Sequence, residues 1–177
     1  GETDLQIVDR MAARMTLEAE RVSRTVDDLL ELSSIEFGVD RDLVLLDAAD
    51  VIAEAVARMA PAAENARIEM VTRVEDGLLL RGDRPQLVSA LFNLIDNAVK
   101  YSSPGAVVRI TAATTVGRIE MAVHDEGVGI PRRDLDRIFE RFYRVDRARS
   151  RGTGGTGLGL AIVRHIANNH GGEVTVE

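Results

Sequence analysis

The first 36 residues contain the longest uninterrupted helical pattern in the chain. No glycine or proline occurs between Glu2 and Phe37. Apolar or small residues recur there at alternating spacings of four and three, the heptad pattern of a helix that packs along another helix. A helix of about 30 residues is about 45 Å long, more than a small domain can cover. We therefore predict one long helix, part of which projects and needs a partner helix; a helix lying on its own domain is the alternative. The seam comprises Val8, Ala12, Met15, Ala19, Val22, Val26, Leu29 and Ser33.

Composition excludes several classes of function. The 177 residues include no cysteine, so disulfides, thiolate metal sites and a cysteine nucleophile are impossible. A net charge of −7 disfavours nucleic acids and anionic membranes as partners, because both are bound mainly through lysine and arginine. No apolar run is long enough to span a membrane. One local exception is residues 131–151, which hold eight arginines and four acidic residues.

Beyond the long helix, glycine and charged residues at positions 37–42 predict a linker, and residues 43–177 predict a second, α/β domain. Asp47 and Asp83 stand at positions typical of helix N-caps, and Pro85 and Gln86 follow the second of them. The expected strands are residues 43–46, 68–74, 78–81, 107–114, 118–124 and 173–176, and the expected helices are residues 48–65, 84–100 and 160–169.

Three polar residues share one face of the predicted helix 84–100. Asn93, Asn97 and Lys100 are spaced i, i+4 and i+7, so their side chains project in the same direction. Two amides and an ammonium suit a polyphosphate bound with Mg²⁺. A solvated helix face is the alternative. Lys100 is the only lysine among 22 basic residues, which favours a specific need for a compact charge at this position.

Two glycine-containing segments follow. Asp125 precedes Gly127 and Gly129 after a predicted strand, where its carboxylate could accept from an exocyclic amine of a flat ring; an ordinary β-turn is the alternative. Residues 152–159 contain five glycines and lead into a helix, which is typical of backbone anion binding, although a flexible linker has the same composition. The segment matches neither a P-loop nor a Rossmann fingerprint.

In this order, segments 93–101 (NLIDNAVKY), 125–130 (DEGVGI), 138–144 (IFERFYR) and 155–162 (GTGLGLAI) resemble the N, G1, F and G2 boxes of sensor histidine kinases of two-component systems. Residues 22–36 are similar to the end of the second helix of the dimerisation and phosphotransfer hairpin. The sequence around residues 140–154 is similar to that of actinobacterial phosphate-responsive (PhoR-type) kinases. The resemblance covers nearly the whole chain.

The resemblance implies an α+β two-layer sandwich with a mixed sheet, the Bergerat or GHKL fold, preceded by one long hairpin helix (residues 1–36). It implies that Mg²⁺ is held by Asn97 with Asn93 assisting, and that Lys100 meets phosphate. Tyr101 would pack on adenine and Asp125 would bind its amino group. Residues 140–154 would form the ATP lid, with Arg144 directed at the γ-phosphate. The implied catalytic residues are Asn93, Lys100 and Arg144, and the implied ATP-binding residues also include Asn97, Tyr101, Asp125, Gly127, Gly129, Ile130, Phe142, Gly155, Thr156, Gly157, Leu158 and Gly159.

The family's phosphoacceptor histidine has no counterpart here. His124, His165 and His170 lie outside the matching helix, and each is expected to be structural or exposed. We therefore expect a chain that binds Mg-ATP but cannot autophosphorylate alone, and that stops before the end of the domain. The resemblance also implies a homodimer through residues 5–33, a response-regulator receiver domain as partner, and a cytoplasmic location within a membrane-anchored parent.

Three alternatives remain at this point. An ATP hydrolase of the gyrase or Hsp90 type would need a glutamate base where this chain has Asn93. An anti-sigma-factor serine kinase would lack the long heptad helix. A non-catalytic binding or dimerisation module would not need the polar residues that all four boxes retain.

Overall fold

The computed structural model describes residues 4–36, 43–145 and 155–176. The predicted linker at 37–42 and the C-terminal end of the arginine-rich segment, from residue 146 on, lie outside these ranges. The elements, in chain order, are α1 (Asp4–Glu36), β1 (Val44–Asp47), α2 (Ala48–Ala66), β2 (Glu69–Val74), β3 (Leu79–Gly82), α3 (Arg84–Tyr101), β4 (Val107–Thr115), β5 (Arg118–His124), a short 3₁₀ helix (Arg132–Asp134) and α4 (Gly159–Asn169).

The strands form a three-stranded mixed sheet and a two-stranded antiparallel sheet. In the larger sheet, β4 pairs with β2 in parallel and with β5 in antiparallel fashion. In the smaller sheet, β1 pairs with β3. The parallel pair requires a crossover, which β3 and α3 provide. Alternate residues of β4 point into the core, where Val108 and Ile110 are fully buried.

Helices α2 and α3 pack against the larger sheet, and α3 lies between α2 and α4. One continuous core joins the three helices to β4. It includes Val51 and Ile52 of α2, Ile95 of α3 and Ile162 of α4, together with the β4 residues. This arrangement confirms the predicted α+β two-layer sandwich with a mixed sheet.

Local capping explains where the helices begin. The Asp47 carboxylate accepts from the backbone N–H of Ala49 at 2.8 Å, and the Asp83 carboxylate accepts from that of Gln86 at 3.0 Å. Each bond satisfies an N–H that the helix leaves unpaired and stabilises it by about 1 kcal/mol. Both predicted caps are confirmed.

The long helix α1 has two distinct parts. Along its outer part the seam residues are exposed, including Val8 (60%), Met15 (72%) and Val22 (61%). Near its end, Leu32 and Ile35 are buried in the common core, where α1 contacts α4. The prediction of a single long helix is confirmed, and the dimer that the seam favours stays a prediction. No helix in the described ranges combines the length and apolarity needed to cross a membrane.

The predicted strand at 173–176 is wrong. Residues 172–176 have no strand pairing in the described structure, although Glu173 forms an ion pair with Arg118 of β5 at 3.5 Å. Alternating side chains indicate only that a segment can be a strand, whereas a strand exists through hydrogen bonds to a neighbour. Here the described neighbours supply none.

His170 joins the end of α4 to the start of α3. Its Nδ1 lies 2.7 Å from the Ile166 carbonyl, and its Nε2 accepts from the backbone N–H of Asp83 at 3.0 Å. Because Nε2 accepts, Nδ1 is the ring nitrogen that donates, to the Ile166 carbonyl. A Cβ at Gly82 would lie 3.1 Å from this ring, so the chain passes close beside it. The expectation of a structural histidine is confirmed.

Replacing this histidine tests its structural role. His170→Ala removes the imidazole that accepts from the half-buried Asp83 N–H, so we expect the free energy of unfolding to fall by about 1–3 kcal/mol. Urea unfolding followed by circular dichroism measures the change. His124→Ala is the control, since His124 is exposed at the end of β5. Equal stability of the two variants would contradict the role.

Candidate functional site

The polar face of α3 contains the first group of candidate residues. Asn93, Asn97 and Lys100 are all half-buried, whereas Ile95 and Val99 on the opposite face are buried in the core. The i, i+4, i+7 spacing therefore places the three polar side chains together, as predicted.

Asn93 lies directly against the start of α4. Its Nδ2 donates to the Ser89 carbonyl at 3.0 Å, which orients the amide along the helix. A Cβ built at Gly159 would lie only 2.5 Å from the Asn93 Oδ1, so only glycine leaves this oxygen where it is. The start of α4 has no side-chain cap, and its free N–H groups carry partial positive charge. The Asn93 Oδ1 and the N-terminus of α4 are thus adjacent.

Lys100 forms an ion pair with Asp96, one turn earlier on α3. Sequence reasoning missed Asp96, although the i, i+4 spacing to the only lysine was a usable signal. The pair is partly buried, with about a quarter of each side chain exposed (26% for both). The ammonium is therefore positioned by a neighbouring carboxylate as well as by the helix.

The turn after β5 packs against the C-terminal end of α3. The Asp125 Oδ1 accepts from the Gly127 N–H at 2.8 Å, which is the side-chain turn expected of an Asp-x-Gly sequence. A Cβ at Gly127 would lie 2.7 Å from the Tyr101 carbonyl oxygen. Gly129 has φ +67°, in the left-handed region that favours glycine. The turn thus brings Asp125 to the end of α3, beside the exposed ring of Tyr101.

One residue after Tyr101, Ser102 has a buried hydroxyl without a hydrogen-bond partner among the described residues. A buried polar atom of this kind costs free energy unless a ligand or water satisfies it. Ile130 is partly exposed at the end of the same turn (37%). Polar and apolar groups suitable for a flat, heteroatom-bearing ligand therefore lie at this end of the site.

Backbone contacts hold together the two ends of the glycine-rich segment. The Phe142 N–H donates to the Gly157 carbonyl at 2.9 Å, and the Arg144 guanidinium donates to the Gly155 carbonyl at 2.5 Å. A Cβ at Gly157 would lie 2.9 Å from the Phe142 carbonyl carbon, and Gly157 has φ +77°. Leu158 is fully buried. Residues 142–144 and 155–158 therefore form a clamp at the base of segment 146–154. That segment itself, with Arg147, Arg149, Arg151 and the first two glycines of the predicted anion site, lies outside the described residues.

A cluster that the sequence did not indicate orders the chain before Phe142. The buried carboxylate of Asp134 accepts from the Tyr143 hydroxyl at 2.6 Å, and this bond raises the pKa of Tyr143. The Arg137 guanidinium stacks 4.2 Å from the centre of the Tyr143 ring and also contacts Glu140. The exposed Phe142 therefore lies in a segment that is held by the Tyr143–Asp134 hydrogen bond and by the bond from the Phe142 N–H to the Gly157 carbonyl.

The donor set fits a nucleotide with its divalent ion better than a metal held by protein alone. The described residues contain no group of three or more His, Cys, Asp or Glu side chains that could hold a metal ion. Asn93 and Asn97 supply only amide oxygens, so phosphate oxygens and water would have to complete the coordination of Mg²⁺.

The sequence matches the family described as histidine kinase-, DNA gyrase B- and HSP90-like ATPases over residues 82–177. The sensor-like histidine kinase SenX3 of Mycolicibacterium smegmatis is 45% identical over 173 residues, which cover 97% of this chain and 45% of SenX3. The chain thus spans less than half the length of this curated relative.

Two solved structures are also similar. The mycobacterial sensor histidine kinase MprB aligns with a TM-score of 0.64 at 32% identity, over 73% of this chain and 80% of that one. Full-length ShkA in complex with AMPPNP aligns with a TM-score of 0.75 at 28% identity, over 97% of this chain and 35% of that one. The second alignment covers nearly all of the chain, so it includes most of α1.

The clamp can be tested without any ligand. Gly157→Ala would place a Cβ against the Phe142 backbone in the left-handed region, so we expect a loss of about 1–3 kcal/mol and faster hydrogen exchange of the Phe142 amide. Gly155→Ala is the control, because its Cβ would meet only the Arg144 side chain at 3.9 Å. The clamp assignment fails if both variants exchange the Phe142 amide at the rate of the unmodified chain.

Proposed function

The chain belongs to the family of histidine kinase-, DNA gyrase B- and HSP90-like ATPases, and we propose that it binds Mg-ATP and donates the γ-phosphoryl group to a histidine that is none of its own three. It would thereby act as the ATP-binding catalytic region of a sensor histidine kinase in two-component signalling. Its curated relatives bear the name of such kinases.

One observation carries this proposal: the polar face of α3 meets both glycine-containing segments. Asn93 lies against Gly159, and Tyr101 lies against Gly127, so the two ends of one helix face receive the two turns. The resulting site combines an ammonium, two amide oxygens and a helix N-terminus for phosphates with a carboxylate for an amine.

Within this site, Lys100, Thr156 and the backbone of residues 155–159 would bind the phosphates. Asp125 would accept from the adenine amino group, with Gly127, Gly129 and Ile130 shaping the turn and Tyr101 and Phe142 offering exposed rings to the base. Asn97, assisted by Asn93, would hold Mg²⁺, which neutralises phosphate charge when bound. The amide oxygens of Asn93 and Asn97, on the same helix face as Lys100, support this assignment.

Phosphoryl transfer requires mainly positioning and charge stabilisation, because little covalent chemistry falls to the protein. Arg144 lies on the Gly155 carbonyl, at the base of segment 146–154. From there its guanidinium would reach the γ-phosphate of a bound nucleotide. Asn93, Lys100 and Arg144 are therefore the proposed catalytic residues.

The chain's own histidines are poor nucleophile candidates. Both ring nitrogens of His170 are engaged, and His165 Nε2 lies 3.4 Å from the Glu36 carboxylate. His124 is the last residue of strand β5, whereas the family's phosphoacceptor histidine lies on a helix. The acceptor would belong to the partner helix of α1, and the exposed seam of residues 5–33 would form a homodimer in the parent protein. A receiver domain would then take the phosphoryl group, within a cytoplasmic region of a membrane-anchored parent.

Two substitutions test the nucleotide site. Asn97→Ala removes the proposed Mg²⁺ ligand, and Asp125→Ala removes a charge-assisted hydrogen bond worth about 1.5–3 kcal/mol, so we expect each to weaken binding at least about tenfold. Calorimetry with a non-hydrolysable ATP analogue and Mg²⁺ measures the change, and thermal melts verify folding.

Matched controls are Asn65→Ala at the exposed end of α2 and Asp76→Ala, which like Asp125 lies in an exposed turn near a glycine. These variants should bind as the unmodified chain does. Loss of binding in the controls, or its persistence in folded Asn97→Ala and Asp125→Ala proteins, would contradict the site.

The kinase reaction is tested separately with γ-labelled ATP. Alone, the chain is expected to take up no acid-labile label. A dimerisation hairpin from a sensor histidine kinase, added in trans with its histidine, is expected to become labelled, and Lys100→Ala should abolish that transfer. Label on a histidine of this chain itself would contradict the proposal.

A further inference from the structure

The end of α1 docks beside the proposed nucleotide site. Leu32 and Ile35 are buried at the centre of this contact (2% and 3% exposed), and the Ile35 carbonyl accepts from the Asn169 Nδ2 at 3.2 Å. At one end Glu36 forms an ion pair with Arg141, and its carboxylate lies 3.4 Å from His165 Nε2. The docking surface therefore has an apolar centre and polar ends.

At the other end of the contact, α1 reaches the glycine-rich turn itself. The Thr156 hydroxyl donates to the Asp28 Oδ2 at 2.6 Å, across 128 positions in the sequence. The same hydroxyl oxygen lies 3.2 Å from the Leu158 N–H, which donates to it. Thr156 is thus shared between α1 and the turn proposed to bind phosphate, and Asp28 occupies its only hydroxyl proton.

The charges around Asp28 come from three sources. Lys100 of α3 attracts its carboxylate, whereas Asp96 of α3 and Asp27 of α1 repel it. Burial has the largest effect and raises the pKa of Asp28 above its ordinary value of 3.8, against the Thr156 hydrogen bond and Lys100, which lower it. The docked state therefore binds a proton at Asp28 more readily than the undocked state does.

From this geometry we propose that docking of α1 through Asp28 opposes nucleotide binding, because the Asp28 carboxylate takes the Thr156 hydroxyl and the field of Lys100 that the polyphosphate would use. The inference rests on the proposed function, whose phosphate site it regulates. The Asp28 carboxylate and the polyphosphate would both bind the Thr156 hydroxyl and both be attracted by Lys100, and as two anions they repel each other. The coupling between α1 docking and nucleotide binding is therefore reciprocal. Release of α1 raises nucleotide affinity, and a bound nucleotide loosens α1.

Three variants separate docking from general charge effects. Asp28→Ala removes the acceptor and the charge, and Glu36→Ala weakens the far end of the docking surface without touching Thr156. Asp27→Ala is the control, since it removes the same charge from the adjacent exposed position. Calorimetry with a non-hydrolysable ATP analogue and Mg²⁺ should show affinity raised about fivefold or more by Asp28→Ala, raised to a smaller extent by Glu36→Ala, and unchanged by Asp27→Ala.

Hydrogen exchange of the amides in residues 28–36 gives the reciprocal measurement. It should be faster in Asp28→Ala without nucleotide, and faster in the unmodified chain once the nucleotide is added. Unchanged or weaker nucleotide binding by Asp28→Ala would overturn the inference, as would nucleotide binding that leaves the exchange of residues 28–36 unchanged. If no protein binds nucleotide while Asp28→Ala still accelerates exchange, the proposed function fails and the opposition fails with it, but the α1 contact stands.

Discussion

The rotation of α3 about its own axis is the constraint on which the rest of the site depends. Leu91, Ile95 and Val99 are buried against α2, α4 and the sheet, so the helix cannot turn without exposing them. Burying each such side chain stabilises the fold by about 1.5–3 kcal/mol. With that face fixed, Asn93, Asn97 and Lys100 must point away from the core, to the side where the two glycine-containing turns arrive.

Close approach then decides where glycine is required. At Gly127 and Gly157 a side chain would collide with backbone, and at Gly159 it would displace the Asn93 amide. These contacts tie the two turns to α3 and to residues 142–143. The turns are therefore parts of the packed domain that also present backbone N–H groups, which combines rigidity with anion binding.

α1 illustrates how one amphipathic helix can serve two surfaces. Its outer seam is exposed along the described chain. Its last turns are held by the buried side chains of Leu32 and Ile35 and by polar contacts from Asp28 to Thr156 and from Glu36 to Arg141. Because the polar contacts include Thr156 and Arg141, movement of the helix is mechanically linked to the proposed nucleotide site. A helix with an exposed seam at one end and contacts beside this site at the other can transmit a change from one end to the other.

By itself the sequence determined the elements and much of the fold class, since helical periodicity, N-cap residues and alternating strands are local properties that survive in any context. Periodicity also placed Asn93, Asn97 and Lys100 on one face, and the family resemblance predicted the mixed two-layer sandwich. The tertiary structure decided what depends on distant partners. It brought Asp28 to Thr156, the Asp134 carboxylate to Tyr143 and His170 to the Asp83 N–H, and it left residues 172–176 without strand pairing. A hydrogen bond between residues 128 positions apart has no local signature, because only the packed core fixes the distance between them.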